Sequence, residues 1–290
     1  MNIVRTIADL KKDIRHFKLD HHSIGFVPTM GFLHEGHLTL ARKARTENDT
    51  VIMSIFVNPL QFGPNEDFER YPRDEERDIK LAEEAGVDLL FLPSVEEMYP
   101  EEPAVTLTVH KRTSALCGLT REGHFDGVAT VVMKLFHLTE ADRAYFGKKD
   151  AQQLAVIHGL VDSLNVPIEI IGVETVREPD GLAKSSRNVY LLPEEREKAP
   201  AIYRALQLVK KSVEAGEADI ALLKEKARRM LEEEGGAEID YLEILSYPEL
   251  EPADSASGTI IAAAAVKYKN ARLIDNIILP VKGSASCSAQ

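Results

Sequence analysis

Two histidines three residues apart, His34 and His37, close the segment Val27-Pro-Thr-Met-Gly-Phe-Leu-His-Glu-Gly-His. Before them come an apolar run, Ile24 to Val27, and a turn with Pro28 and Gly31; after them comes a helical pattern of Leu38, Leu40, Ala41 and Ala44. Residues at i and i+3 share a helix face, so both imidazoles can address one ligand. A helix start also offers unpaired N–H groups and the positive end of the dipole, which suits a phosphate. Gly36 between the histidines has no side chain to obstruct a phosphate or a flat base. Three readings fit the pair: a nucleotide site, half of a zinc site, and a structural pair. Helical zinc ligands usually stand at i, i+4 with a third ligand. No nearby cysteine or acidic cluster completes such a set, so no metal site of the chain's own is expected.

Four further clusters carry groups suited to a polar, anionic ligand. In Phe56-Val-Asn-Pro-Leu-Gln-Phe-Gly-Pro, the amides Asn58 and Gln61 offer both donors and acceptors to hydroxyl and carboxylate groups; an Asn-Pro turn is the competing reading. In Arg121-Glu-Gly-His-Phe-Asp-Gly, Arg121 is either a carboxylate or phosphate partner or a surface arginine, and Asp126 is placed to cap a helix. In Tyr145-Phe-Gly-Lys-Lys-Asp-Ala-Gln-Gln-Leu, Gly147 turns the chain and Lys149 can reach phosphates as a point charge. Asp150 there stands to cap a helix or bind a ribose hydroxyl, and Gln153, one turn on, faces the same cleft. In Gly181-Leu-Ala-Lys-Ser-Ser-Arg-Asn, Ser185, Ser186 and Arg187 suit a triphosphate, although such polar loops also occur on ordinary surfaces.

These clusters need a scaffold that brings them together. Residues 24–28, 51–57, 89–92, 105–109, 144–146 and 168–176 read as strands, and 35–47, 74–85, 127–138 and 150–164 as helices. The run from Thr50 to Val57 is apolar on both faces, as a central parallel strand requires. Strand–helix alternation predicts an α/β fold, a Rossmann-like doubly wound parallel sheet. Beyond Arg177–Arg187 the chain changes to helix over 193–234, then strands over 240–245, 258–266 and 271–275, a smaller C-terminal α+β domain. The expected domains are 1–176 and 177–283, followed by a disordered tail, 284–290. Neither Gly-x-Gly-x-x-Gly after the first strand nor a Walker A sequence occurs, which leaves the phosphates to the His-x-Gly-His turn.

Composition narrows the class. The chain has 290 residues, 44% hydrophobic and 28% charged, and a formal net charge of −12. That balance opposes non-specific nucleic-acid binding, which rests on Lys and Arg neutralising phosphates. No apolar run reaches the roughly 20 residues of a membrane helix, so no membrane partner is expected. The two cysteines, Cys117 and Cys287, fit a reducing cytoplasm.

The His-x-Gly-His turn resembles the signature of the nucleotidylyltransferase superfamily. All five segments together, in this order from Val27 to about Asn276, closely resemble the pantothenate synthetase (pantoate–β-alanine ligase) family. The resemblance implies ATP-dependent condensation of (R)-pantoate with β-alanine through a pantoyl adenylate, releasing AMP and pyrophosphate, in a Mg²⁺-dependent cytoplasmic homodimer. It implies ATP contacts from Met30, Gly31, Phe32, Leu33, His34, Glu35, Gly36 and His37, with His37 as proton donor. A second ATP group would be Gly147, Lys148, Lys149, Asp150 and the backbone at Val176, and a third Lys184, Ser185, Ser186 and Arg187. Gln61 and Gln153 would hold pantoate, Gln61 also β-alanine, and Asn58 and Arg121 match further pocket residues. His34, His37, Lys149 and Arg187 are then the groups to stabilise charge during adenylation. One departure is Lys184, where the family usually carries an apolar residue. Against a simpler nucleotidyltransferase acting on a phosphorylated substrate, Asn58 and Gln61 favour a neutral or monocarboxylate acceptor. A tRNA synthetase is opposed by the short chain, the net charge and the lack of a basic tRNA-binding domain, and a non-catalytic nucleotide sensor leaves the Asn58, Gln61 and Gln153 group without a task.

Overall fold

Short runs of three to six residues build one sheet, and runs of nine or ten residues build another. A computed structural model of the chain describes residues 1–64 and 66–281. In chain order the first part contains β1 (Asn2–Val4), α1 (Ile7–Leu19), β2 (Ile24–Thr29), α2 (Glu35–Glu47), β3 (Thr50–Ile55), α3 (Glu75–Glu84), β4 (Leu89–Phe91), and the short α4 (Val95–Met98) and α5 (Cys117–Thr120). It continues with α6 (His124–Thr139), β5 (Arg143–Gly147), α7 (Ala151–Leu164) and β6 (Glu169–Val173). The rest comprises α8 (Pro193–Lys198), α9 (Ala201–Glu214), α10 (Ile220–Glu234), β7 (Glu238–Ser246), β8 (Gly258–Lys267) and β9 (Arg272–Val281).

The first six strands form a parallel sheet in the order β1-β4-β3-β2-β5-β6. From β2 the chain builds outward through β3 and β4, then returns to lay β5 on the other side of β2. Strand order therefore reverses between β2 and β5. In open α/β sheets the crevice off the carboxyl ends at such a reversal is where ligands bind. The His34–His37 turn leaves β2 there, and the Lys148–Asp150 3₁₀ turn leaves β5 there. Phe26, Ile52, Phe91, Leu135, Phe146 and Ile157 pack into one core beneath the crevice.

The second sheet, β7-β8-β9, is antiparallel and is backed by α9 and α10. Its middle strand carries Ala262 and Ala264 into the core formed with Leu206, Ala227 and Leu231; small side chains there let the helices lie close. This sheet also braces the first part. Asn276 of β9 donates through Nδ2 to the carbonyls of Lys148 (3.0 Å) and Lys149 (2.7 Å). Arg177 makes a two-pronged ion pair with buried Asp275 (2.5 and 2.9 Å) and lies 3.7 Å from the Tyr203 ring centroid.

Several expected elements differ. Residues 105–109 are not a strand: Val105 is 78% exposed. The N–H groups of Leu107 and Val109 donate to side chains of α6, Thr130 Oγ1 (3.0 Å) and Asp126 Oδ1 (2.8 Å). Asp126 is thus a clamp from inside α6 rather than its cap, which is Gly123 at φ 73°. Asp150 is at the cap position of α7 but its side chain makes no capping bond. The sixth strand ends at Val173, and β9 runs to Val281 because all of it pairs with β8. β1 and α1 carry little sequence signal: only Val4 is buried in β1, and only Leu10 and Ile14 in α1. The expected tail 284–290, with Cys287, lies outside the described residues.

Candidate active site

A cleft of about 230 Å³ opens at the β2/β5 reversal. Met30, His34, Gly36, His37 and Gln61 line one side, Gly147, Lys149, Asp150 and Gln153 another, and Val176, Lys184, Ser185, Ser186 and Arg187 a third, with Arg121 at the margin. The fold has brought all five motifs to one place. Six of the expected residues do not line this cleft. Leu33 is fully buried, Glu35 pairs with Arg42, and Lys148 pairs with Glu174. Gly31 and Phe32 face a neighbouring hollow, and Asn58 is 1% exposed beneath the wall.

The histidines are fixed by the helix they begin. His34 is the N-cap of α2, and its Nδ1 accepts the N–H of Gly36 (3.1 Å); His37 Nδ1 accepts the N–H of His34 (3.3 Å). The rings lie 4.1 Å apart, centroid to centroid. A nitrogen that accepts from a backbone N–H carries no proton, so each ring holds its proton on Nε2. Burial, then Lys149, lower the His34 pKa to about 4. Burial, then the neighbouring His34 and Lys149, take His37 well below the usual histidine value. Both rings are therefore neutral hydrogen-bond donors at neutral pH. Gly36 is needed for a reason that only the folded turn reveals: a Cβ there would lie 2.8 Å from the His34 ring.

The turn before them is held from below. Gly31 adopts φ +83°, and a Cβ on it would meet Ile55 at 2.8 Å. The carboxylate of Asp78 on α3, 1% exposed, accepts the N–H groups of Phe32 (2.7 Å) and Leu33 (2.6 Å). Sequence reading missed Asp78. It is one acid among many in 74–85, and only a contact spanning 46 positions distinguishes it.

The amides divide. Asn58 spends its side chain internally, with Nδ2 on Gln61 Oε1 (3.2 Å) and Gly127 O (3.1 Å), and Oδ1 accepting from Leu60 N (3.3 Å) and Tyr99 OH (3.0 Å). It builds the Pro59–Gln61 turn onto α6, where a Cβ on Gly127 would approach Leu60 O to 2.2 Å. Gln61 reaches the cleft, its Nε2 3.1 Å from Met30 Sδ. Arg121 is tied on every side: Nε and Nη2 to Glu66 (2.6 and 2.7 Å), Nη1 to His124 Nε2 (2.9 Å), Nη2 to Gln61 O (3.3 Å). Its main contribution is to hold the Gln61 turn. His124, whose Nδ1–H donates to the same carbonyl (2.9 Å), is kept neutral by burial and by Arg121, its pKa lowered to about 4.

The third wall follows β6. The Val176 carbonyl accepts the N–H of Lys184 (3.0 Å), so both positions meet the cleft from one small bridge. The Lys184 ammonium lies 3.2 Å from Glu178. Ser185 Oγ caps its own turn by accepting from Arg187 N (3.3 Å), and Ser186 Oγ donates to Phe32 O (3.4 Å). Arg187 forms a fork with Asp67 (2.9 and 3.0 Å). Lys149 also lines the cleft, with its Nζ 3.8 Å from Asp150.

The pantoate–β-alanine ligase family model matches residues 2–278. A pantothenate synthetase from Bacillus pumilus is 58% identical over 284 residues, covering 98% of each chain. A crystal structure of pantothenate synthetase from Thermus thermophilus superposes with a TM-score of 0.91 at 48% identity, covering 96% of this chain and 99% of that one. A pantoate–β-alanine ligase from Francisella tularensis, solved in complex with β-γ ATP and β-alanine, matches with a TM-score of 0.79 at 36% identity over 96% of this chain and 97% of that one. The chain belongs to the pantoate–β-alanine ligase family.

Proposed function

We propose that this member of the pantoate–β-alanine ligase family carries out its ATP-dependent condensation of (R)-pantoate with β-alanine in the cleft at the strand-order reversal. The observation that carries the residue assignment is that His34 and His37, their Nδ1 atoms engaged by backbone N–H groups, line one cleft with Lys149 and Arg187. The domains are proposed as 1–176, holding nucleotide and pantoate, and 177–283, acting as a lid hinged near Arg177–Arg187.

A carboxylate is a poor acylating agent until its oxygen becomes part of a good leaving group. In the proposed first step a pantoate carboxylate oxygen attacks the α-phosphorus, the bond to the β-phosphate oxygen breaks, and pyrophosphate leaves. Charge accumulates on α-phosphoryl oxygens and on the leaving group. Catalysis of such transfers is chiefly positioning and electrostatics. His34 and His37 meet those oxygens as neutral donors, Lys149 and Arg187 as cations. His37 then donates a hydrogen bond rather than a proton, because it begins without an imidazolium proton to give. Asp150 and Glu174, the carboxylates on the cleft wall, are the groups that would help hold Mg²⁺, which would supply further charge neutralisation. Gln61 and Gln153 orient pantoate. In the second step the neutral β-alanine amine attacks the acyl carbon, the acyl C–O bond breaks, and AMP departs as the amine nitrogen gives up one proton, taken by the departing phosphate or the medium. Closure of the lid keeps water from the adenylate.

A cytoplasmic homodimer completes the proposal. Val105 and Leu119, 78% and 72% exposed, present apolar surface on the segment before α6. The site assignment is tested by pantoate-dependent exchange of pyrophosphate into ATP without β-alanine. The wild type supports exchange and a His34→Ala/His37→Ala variant loses it by roughly 10²–10⁴-fold or more. Wild-type exchange in the folded double variant overturns the assignment.

A further inference from the structure

The fork between Arg187 and Asp67 joins positions 120 apart, and no sequence pattern marks Asp67. Arg187 Nε and Nη2 donate to the two Asp67 oxygens at 2.9 and 3.0 Å. Two parallel bonds fix both the direction and the plane of a guanidinium, which one bond cannot do. The ring of Tyr71, 5.6 Å from the Arg187 Cζ, supports the group from a further side. Among the described residues, the fork consumes two of the five N–H donors and leaves three, on a side chain that lines the cleft. Asp67 itself does not line it. Both partners are about a quarter exposed, 27% and 26%. Burial pushes the Asp67 carboxyl up, but the Arg187 hydrogen bonds and charge outweigh it and leave it below the usual range, so the fork is ionic at neutral pH.

Arg121 offers a contrast. Glu66, the residue before Asp67, binds it by a similar fork, yet His124 and the Gln61 carbonyl take further donors. Arg121 is consumed by the scaffold, whereas Arg187 is held on one edge and open on the other.

We propose that Asp67 is a positioning residue for the adenylation step, holding Arg187 so that its free N–H edge meets the phosphate oxygens that gain charge in the transition state. The inference rests on the reading of Arg187 as a phosphate partner. Asp67 touches no substrate and acts only through Arg187. The alternative is that the carboxylate occupies the place of a phosphate and must be displaced; removing it would then tighten anion binding.

A double-mutant cycle decides among these, read by pantoate-dependent pyrophosphate exchange and by calorimetric binding of inorganic pyrophosphate, with thermal melting to confirm that each variant is folded. Asp67→Asn is expected to lower the exchange rate constant by roughly 10–100-fold, the scale on which a misplaced catalytic group acts, with the ATP KM within about threefold. In an Arg187→Ala background the same substitution should cost less than about twofold, because a positioning residue has nothing left to position. Asp67→Glu, which keeps the charge and both oxygens, should recover part of the loss and serves if the asparagine variant does not fold. Equal losses in both backgrounds, a wild-type rate for Asp67→Asn, or tighter pyrophosphate binding by that variant would each overturn the proposal. Wild-type exchange by Arg187→Ala would instead remove the underlying reading of Arg187.

Discussion

The backbone N–H of His34 donates to Nδ1 of His37 across 3.3 Å, so the two histidines of the motif are one hydrogen-bonded unit before any ligand arrives. The helix that they cap sets their tautomer, and protonating either Nδ1 would break a cap bond. Imidazole nitrogen shifts should therefore show both rings as the Nε2–H tautomer at pH 7, with no titration between pH 8 and roughly 5, given a His34 pKa lowered to about 4 and His37 well below the usual value. The unfolded chain takes up these protons first, so this contribution to stability declines as pH falls from near 6.5 toward 4. A protonation midpoint near 6.5 for either ring in the folded protein would contradict the arrangement.

Capping and chemistry at His34 can be separated. Asparagine is a good N-cap, and its carbonyl can accept the Gly36 N–H, but it has no group in the place of the imidazole Nε2–H. His34→Asn is expected to keep the melting temperature within a few degrees and to slow adenylation by roughly 10²-fold or more. His34→Ala should lose the same activity and a further 0.5–2 kcal/mol or so of stability. Equal activity for His34→Asn and wild type would assign the residue to capping alone.

Asn58 and Gln61, alike in the sequence, should behave differently. Asn58→Ala leaves buried partners without hydrogen bonds and is expected to lower the unfolding free energy by about 1–3 kcal/mol in urea titration. Gln61→Ala should weaken pantoate by a similar free energy in calorimetry, with ATP little changed. Stability loss at Gln61 and a pure pantoate defect at Asn58 would reverse the assignment.

Lys184 lines the cleft wall beside Ser185 and Arg187. Its ammonium lies by Glu178 while its backbone N–H bridges to Val176. Lys184→Met should thus alter kcat and the ATP KM by less than about fivefold, under roughly 1 kcal/mol. A loss of about 100-fold in steady-state kinetics would show that the ammonium serves the phosphates.

The contrast between local and distant contacts explains what the sequence revealed. His34, Lys149 and Gln153 follow strand ends within a few residues, so their approach to one crevice follows from strand order once the sheet is inferred. The alternation of β2 through β6 with helices is readable because the central strands are apolar throughout. Asp67 meeting Arg187, Asp78 meeting Phe32, and Glu66 consuming Arg121 join residues 120, 46 and 55 positions apart. Nothing in the local pattern marks those acids among their neighbours. Residues 105–109 look like a strand because they are apolar and β-branched, but Thr130 and Asp126 satisfy their backbone instead.

The central claim is that the pantoate carboxylate, rather than water or an enzyme group, attacks the α-phosphorus. Pantoate labelled with ¹⁸O in its carboxylate, incubated with the enzyme, MgATP and β-alanine, decides it by mass spectrometry of the nucleotide product. The account predicts AMP carrying one ¹⁸O for each pantothenate formed. Unlabelled AMP alongside pantothenate, or ADP as the product, would contradict it.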